Sequence, residues 1–200
     1  MIKSNDIFLN ASEHLFLLNF SEMLMLRNYS RFKKFNYCAQ IGVSESIRDI
    51  QEAKNIDADA FEFQIVESLF SLSKIIQAFE KSYFDSIEEL SSKLFFINIT
   101  SNESLILLKN LNNFQFPKFL NKRNFVINYD RRALIRSFFK IKNNNFEVSN
   151  YEQKVNKLIY KSIKESNKNK FFISVSGGIN YEGLRNLLKE DINLDFIKTG

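Results

Sequence analysis

Two glutamates, Glu62 and Glu67, bracket the apolar run "FQIV" in a stretch, "DAFEFQIVES", that otherwise reads as a buried strand ending on Glu67. Carboxylates are rarely buried unless paired, so Glu62 requires a partner such as Arg48 or a lysine. Glu45, Arg48 and Asp49 form a charged cluster just upstream, and Asp130 precedes Arg131 and Arg132. Carboxylates at strand ends can move protons or hold a hard cation, and an arginine can grip an anion. Glu45, Glu67 and Asp130 also each precede a helix-like stretch, where the helix dipole alone favours a negative charge. A third motif, "SVSGGINYEGL", places Ser176, Gly177 and Gly178 between a strand and a helix. Two glycines there let a backbone approach a phosphate or carboxylate at a helix N-terminus; a tight turn needs the same residues. The single histidine, His14, has no histidine or cysteine near it and points away from a transition-metal site.

Short apolar runs alternate with longer amphipathic stretches. "HLFLLNF", "YCAQIG", "DAFEFQIV", "LFFINI", "NFVINY", "KFFISVS" and "LDFIK" read as strands. Between them lie helix patterns, several opened by a serine or aspartate suited to capping, such as Ser21, Ser44 and Asp130. Strands separated by helices run parallel, because a parallel return needs a long crossover. The series predicts an α/β fold: a TIM-type (β/α) barrel of about seven to eight parallel strands, over residues 1–200 as one domain. A doubly wound sheet is the other arrangement of such units, but no GxGxxG follows the first strand. With 200 residues and no helix after "DFIKTG", either the chain is a fragment of a longer one or closure at the C-terminus is incomplete. In a barrel the functional groups sit at the C-terminal strand ends, which selects Ser44, Glu45, Glu67, Asn98, Thr100, Asn128, Asp130, Ser176 and Lys198.

Hydrophobic residues make up 44% of the chain, with 22 Phe and no Trp, enough for a sizeable core. The net charge of +5 is spread among acidic residues, unlike the concentrated basic face of a nucleic-acid binder. One cysteine, Cys38, excludes an internal disulfide and fits a cytoplasmic protein. No apolar run approaches the length of a membrane span.

Gln40 to Ala78, "QIGVSESIRDIQEAKNIDADAFEFQIVESLFSLSKIIQA", resembles a segment of HpcH/HpaI-type aldolases and citrate-lyase-like proteins. The likeness rests on Ile41, Gly42, Glu45, Arg48, Asp49, Glu52, Asp59, Glu67, Ser68 and Lys74 at fixed spacing, among others. It continues more faintly through "LFFINITSNESLILLKNL", "NFVINYDRRAL" and "FFISVSGGI". The resemblance implies a TIM-type barrel that makes or cleaves a carbon–carbon bond beside a carboxylate. It implies a small-molecule carboxylate or 2-oxo acid as substrate, and a homo-oligomer is left open; no nucleic-acid or membrane partner is expected from the charge and hydropathy above. It also implies a divalent metal, Mg or Mn, held by a Glu and an Asp at two successive strand ends.

Here the pattern departs. Thr100 stands where the metal Glu is expected, Asp130 aligns with the metal Asp only across a one-residue gap, and Gln40 replaces a Lys. A neutral Thr cannot replace a carboxylate on Mg²⁺ at equal affinity, so weakened metal binding is expected; Glu103 is a substitute one helical turn on. Catalytic roles fall on Glu45, Arg48 and Glu67, and substrate binding on Ser176, Gly177 and Gly178. The tail "SVSGGINYEGLRNLL…DFIKTG" also resembles phosphate-binding barrels such as quinolinate phosphoribosyltransferases. A phosphate-ligand barrel and a non-catalytic scaffold relative are therefore the alternatives.

Overall fold

The structure is a computed structural model and describes residues 15–18, 36–42, 44, 46–64, 66–111, 113–142, 146–166, 171–179, 181–189 and 194–198. The strands are β1 (Leu15–Leu18), β2 (Asn36–Ile41), β3 (Ala60–Phe63), β4 (Leu94–Ile99), β5 (Phe125–Asp130), β6 (Phe172–Ser176) and β7 (Phe196–Ile197). The helices are α1 (Ser46–Asn55), α2 (Leu69–Ser82), α3 (Asn102–Leu111), α4 (Arg131–Phe139), α5 (Glu152–Ser166) and α6 (Tyr181–Lys189). All seven strand runs read from the sequence are present. The expected first helix, residues 21–34, His14 and Glu45 lie outside the described residues. A 3₁₀ stretch, Phe84–Ser92, joins α2 to β4 and has no counterpart in the periodicity. No helix among the described residues is long and apolar enough to cross a membrane.

The seven strands form one parallel sheet in which each strand lies beside its successor in sequence. A doubly wound sheet would reverse direction at a switch point and carry helices on both faces. Here the faces differ. Odd-numbered strand residues, among them Phe61, Phe63, Phe95, Ile97, Phe125 and Ile127, join helical Ile50, Leu72, Phe79, Leu107, Leu134 and Ile159 in one large core. Even-numbered residues Cys38, Ala60, Phe96 and Val126 form a second cluster with Leu94, Phe172 and Phe196 and, among the described residues, no helical one.

The second face is concave. Glu62 on β3 meets Lys198, just past β7, at 2.7 Å. In a flat sheet those strands would be four spacings, roughly 19 Å, apart, so the sheet curls until its last strand returns over its third. Phe96 on β4 likewise meets Phe196 on β7 at 5.7 Å between ring centroids. This is the strand order and one-sided helix cover of a TIM-type barrel. Among the described residues β6 is the one strand paired with β7, and no pairing joins β7 to β1.

The abundance of Phe is explained by the helix-facing core. Phe61 packs edge-on to Phe79 of α2 at 4.7 Å and stacks on Phe95 at 5.5 Å, and Phe95 reaches Phe125 at 5.5 Å. Removing one such fully buried ring costs about 3–5 kcal/mol. Caps set the helix starts: Ser68 accepts a hydrogen bond from the Ser71 amide ahead of α2, and Asp130 accepts one from the Ala133 amide ahead of α4. Asp49 of α1 accepts from the Gly42 amide at 2.7 Å, tying the helix to the end of β2.

Candidate functional site

Above the apolar cluster on the concave face runs a row of polar side chains from β3, β4, β5 and β6 and the end of β7. The Lys198 ammonium donates to both Glu62 oxygens, at 2.7 and 2.9 Å. Asn98 Nδ2 donates to the same carboxylate at 2.6 Å and to the Phe63 carbonyl at 3.2 Å. Asn128 Nδ2 donates to Asn98 Oδ1 at 2.7 Å and to Ser176 Oγ at 3.0 Å. The strands place these groups by register: Asn98 lies opposite Asn128, and Asp130 opposite Ser176. Each is an even-numbered position, so the strand period of two turns them all inward.

The row is buried at one end and open at the other. The Glu62 side chain is 8% exposed and that of Lys198 is 34% exposed, so the cation stands at the rim and its carboxylate below. Two further inward atoms, Asn128 Oδ1 and Ser174 Oγ, are buried without a partner; their residues are paired across β5 and β6. Buried polar atoms are normally satisfied by protein, water or a ligand. Cys38, lower on the same face, is 3% exposed; burial above all, and Glu62 next, pushes its thiol well above the ordinary range.

The other site residues read from the sequence are dispersed. Arg48 is exposed on α1, where its guanidinium pairs with Glu52 at 3.1 Å. Glu67 is exposed and stands in the loop before α2, because β3 ends at Phe63 rather than continuing to Glu67. The reason is the neighbouring strand: β2 ends at Ile41, and the last bond along this edge runs from the Gln64 amide to the Ile41 carbonyl. Ser176 belongs to the polar row. Gly177 and Gly178 have positive φ, 80° and 72°. A Cβ on Gly177 would collide with Asp130 Oδ1 and the Arg132 amide, so close packing against the start of α4 explains that glycine. The Asp130 carboxylate beside the turn also disfavours an anion at Gly177.

The residues implied for a divalent metal do not fit one. Thr100 and Asp130 follow in register at the ends of β4 and β5, but Thr100 is neutral and its amide is engaged with Ser104 Oγ. Asp130 spends Oδ1 on the cap of α4. Glu103 is exposed at the start of α3, its carboxyl held below the usual range by its own amide and the Ser101 hydroxyl. Glu62, the buried carboxylate of the row, already carries an ammonium. Among the described residues no three His, Cys, Asp or Glu side chains gather as a metal site. A separate groove of about 690 Å³ between α1 and α2, lined by Ser44, Gln64, Lys74, Gln77 and Lys81 among others, shares no residue with the row.

A curled parallel sheet with outer helices and a polar mouth defines the fold class, and solved structures share it. Citrate synthase SbnG matches with a TM-score of 0.65 at 10% identity, over 92% of this chain and 75% of that one. The magnesium/glyoxylate complex of Haloferax volcanii malate synthase matches at 0.69 and 7% identity, over 96% of this chain and 64% of that one. An HpcH/HpaI aldolase/citrate lyase family protein from Burkholderia cenocepacia J2315 matches at 0.62 and 7% identity, over 93% and 79%. The chain thus spans less than two thirds of the malate synthase. No protein-family profile matches the chain, and no curated protein matches it in sequence. The fold seen in the segment "QIGVSESIRDI…" as a resemblance is the fold of the structure.

Proposed function

We propose that the chain is a lyase-like protein that takes a small carboxylate or 2-oxo acid into the mouth of the curled sheet, without a divalent metal. The observation that carries this reading is the Lys198–Glu62–Asn98–Asn128–Ser176 row. It offers a cation for a carboxylate and a hydroxyl, held in place by two side-chain amides whose NH2 hydrogens are spent within the row, all above an apolar floor. That combination of few convergent polar groups over apolar walls is what small-molecule sites require. The shared fold with a citrate synthase, a malate synthase and aldolase-family proteins supports the same substrate class. Calorimetry with pyruvate and oxaloacetate tests it. Binding is expected to be equal in EDTA and in Mn²⁺, and to weaken at least about tenfold, or about 1.4 kcal/mol, in Lys198→Met. Binding that requires Mn²⁺, or that ignores Lys198, would overturn it.

A non-catalytic binding protein is the second reading. The commitment of Asp130 to a helix cap, rather than to a ligand, favours it. Under that reading oxaloacetate binds but is not decarboxylated.

A further inference from the structure

We propose that Lys198 is a nucleophile that condenses with the carbonyl of a 2-oxo acid to form a protonated imine. The proposal rests on the reading of the mouth as a 2-oxo-acid site and deepens it. Breaking a bond beside a carbonyl leaves an electron pair that something must accept. A metal ion would do so by polarising the carbonyl oxygen, but the donors here do not fit one. An imine nitrogen bound to the substrate carbon is the alternative acceptor, and it needs a primary amine.

Among the described residues the concave face offers one amine in the right place, Lys198. Ser176 Oγ accepts from Asn128, and no histidine stands among the described residues to deprotonate it. Cys38 lies in the apolar floor, away from the mouth. Lys198 is at the C-terminal end of a strand, one-third exposed, with its nitrogen on both oxygens of a buried carboxylate. Such a carboxylate does two things for the reaction. It holds the nitrogen at a fixed point on the rim, and it is the nearest base for the proton that the ammonium must lose before it can attack.

The step balances as follows. The Lys198 ammonium passes one proton to Glu62, and the freed lone pair attacks the carbonyl carbon. The C–N bond forms as the C=O bond opens. The carbonyl oxygen then leaves as water, taking the Glu62 proton and a second proton from nitrogen. An ammonium and a ketone become a protonated imine and water, with no change in charge and no outside oxidant or reductant. Glu62 is ionised again at the end and faces the new cation in place of the old one. Asn98 keeps its hydrogen bond to the carboxylate throughout, so the carboxylate stays in position.

The test is reductive trapping. Sodium borohydride is added to the full chain with pyruvate, and the intact mass is read, followed by peptide mapping. The expected result is one added pyruvate less water plus two hydrogens, located on Lys198 and absent in Lys198→Arg. The arginine variant keeps a cation facing Glu62 but has no primary amine, so the adduct is lost in it whatever it does to pyruvate binding. Should that variant fail to fold, mapping of the wild-type adduct decides alone. Glu62→Gln is expected to slow adduct formation at least tenfold, and Glu62→Asp, which keeps a carboxylate base, to restore part of that rate, which a merely structural glutamate would not do. Pyruvate binding without any adduct, or an adduct on a different lysine, overturns the imine and leaves the 2-oxo-acid reading standing. Neither binding nor adduct with pyruvate and oxaloacetate overturns both.

Discussion

Cys38 and Tyr83 show how burial alone makes single side chains pH-sensitive. Burial, reinforced by Glu62, raises the Cys38 thiol; burial, reinforced by Glu89 and Asp57, raises the Tyr83 phenol. In both, the folded chain keeps a proton that the unfolded chain gives up. The stabilisation is therefore complete below the free-thiol range, about pH 8.5, and declines as the pH climbs through it for Cys38 and through about 10 for Tyr83. Thermal melts from pH 7 to 11 should show falling stability, and Cys38→Ala should make the first part of the decline shallower. An identical slope in that variant would mean that the thiol is not the group responsible. Cys38 should also resist thiol reagents until the protein is unfolded in urea.

At the scale of elements, the β6–α6 turn couples two neighbouring strand ends. Gly177 has left-handed backbone and no room for a Cβ beside Asp130 and the α4 amides, while a Cβ on Gly178 would come within 3.0 Å of the Val148 side chain. Gly177→Ala should destabilise by about 1–3 kcal/mol, and more than Gly178→Ala, whose contact is a side chain that can shift. Urea midpoints that rank the two the other way would show that the turn yields more easily than the backbone clash implies. The elements themselves were legible because local pattern decides them: "LFFINI" and "NFVINY" carry the nearly continuous apolar runs of buried parallel strands, and Asp130 precedes a helix as its sequence suggests. The 3₁₀ stretch Phe84–Ser92 was not, since its kinked backbone at Ser86 follows no helical period. The end of β3 was misjudged because strand length is set by the neighbour's end, at Ile41, and not by the apolar residues that continue to Val66.

For the whole molecule, the Glu62–Lys198 pair is the clearest sign of curvature, joining residues 136 positions apart. The sequence showed that Glu62 needed a cationic partner; no local feature could say that Lys198 was the one, because only the curl of the sheet brings them together. Asn98, Asn128 and Ser176 were recognisable as strand-end residues, yet their joining into one row also depends on that curl. Arg48 and Glu67 looked equally suitable in sequence but point to solvent. The pair also separates stability from function. Lys198→Met alone leaves a buried carboxylate with an amide as its partner and should cost about 2–3 kcal/mol, at or below the low end for a fully buried pair because the lysine is partly exposed. Glu62→Leu with Lys198→Met removes both charges and should recover most of that loss in chemical denaturation. A double variant as unstable as the single one would mean that the ions hold the sheet together directly.

The aromatic layer under the row has one more consequence. Phe96, Phe172 and Phe196 meet edge to face across β4, β6 and β7, at 5.7 and 6.0 Å. They fill that part of the interior from below, so a small molecule held beside Lys198 would rest on aromatic edges rather than on water. An inert acid lodged there would block the approach to the amine.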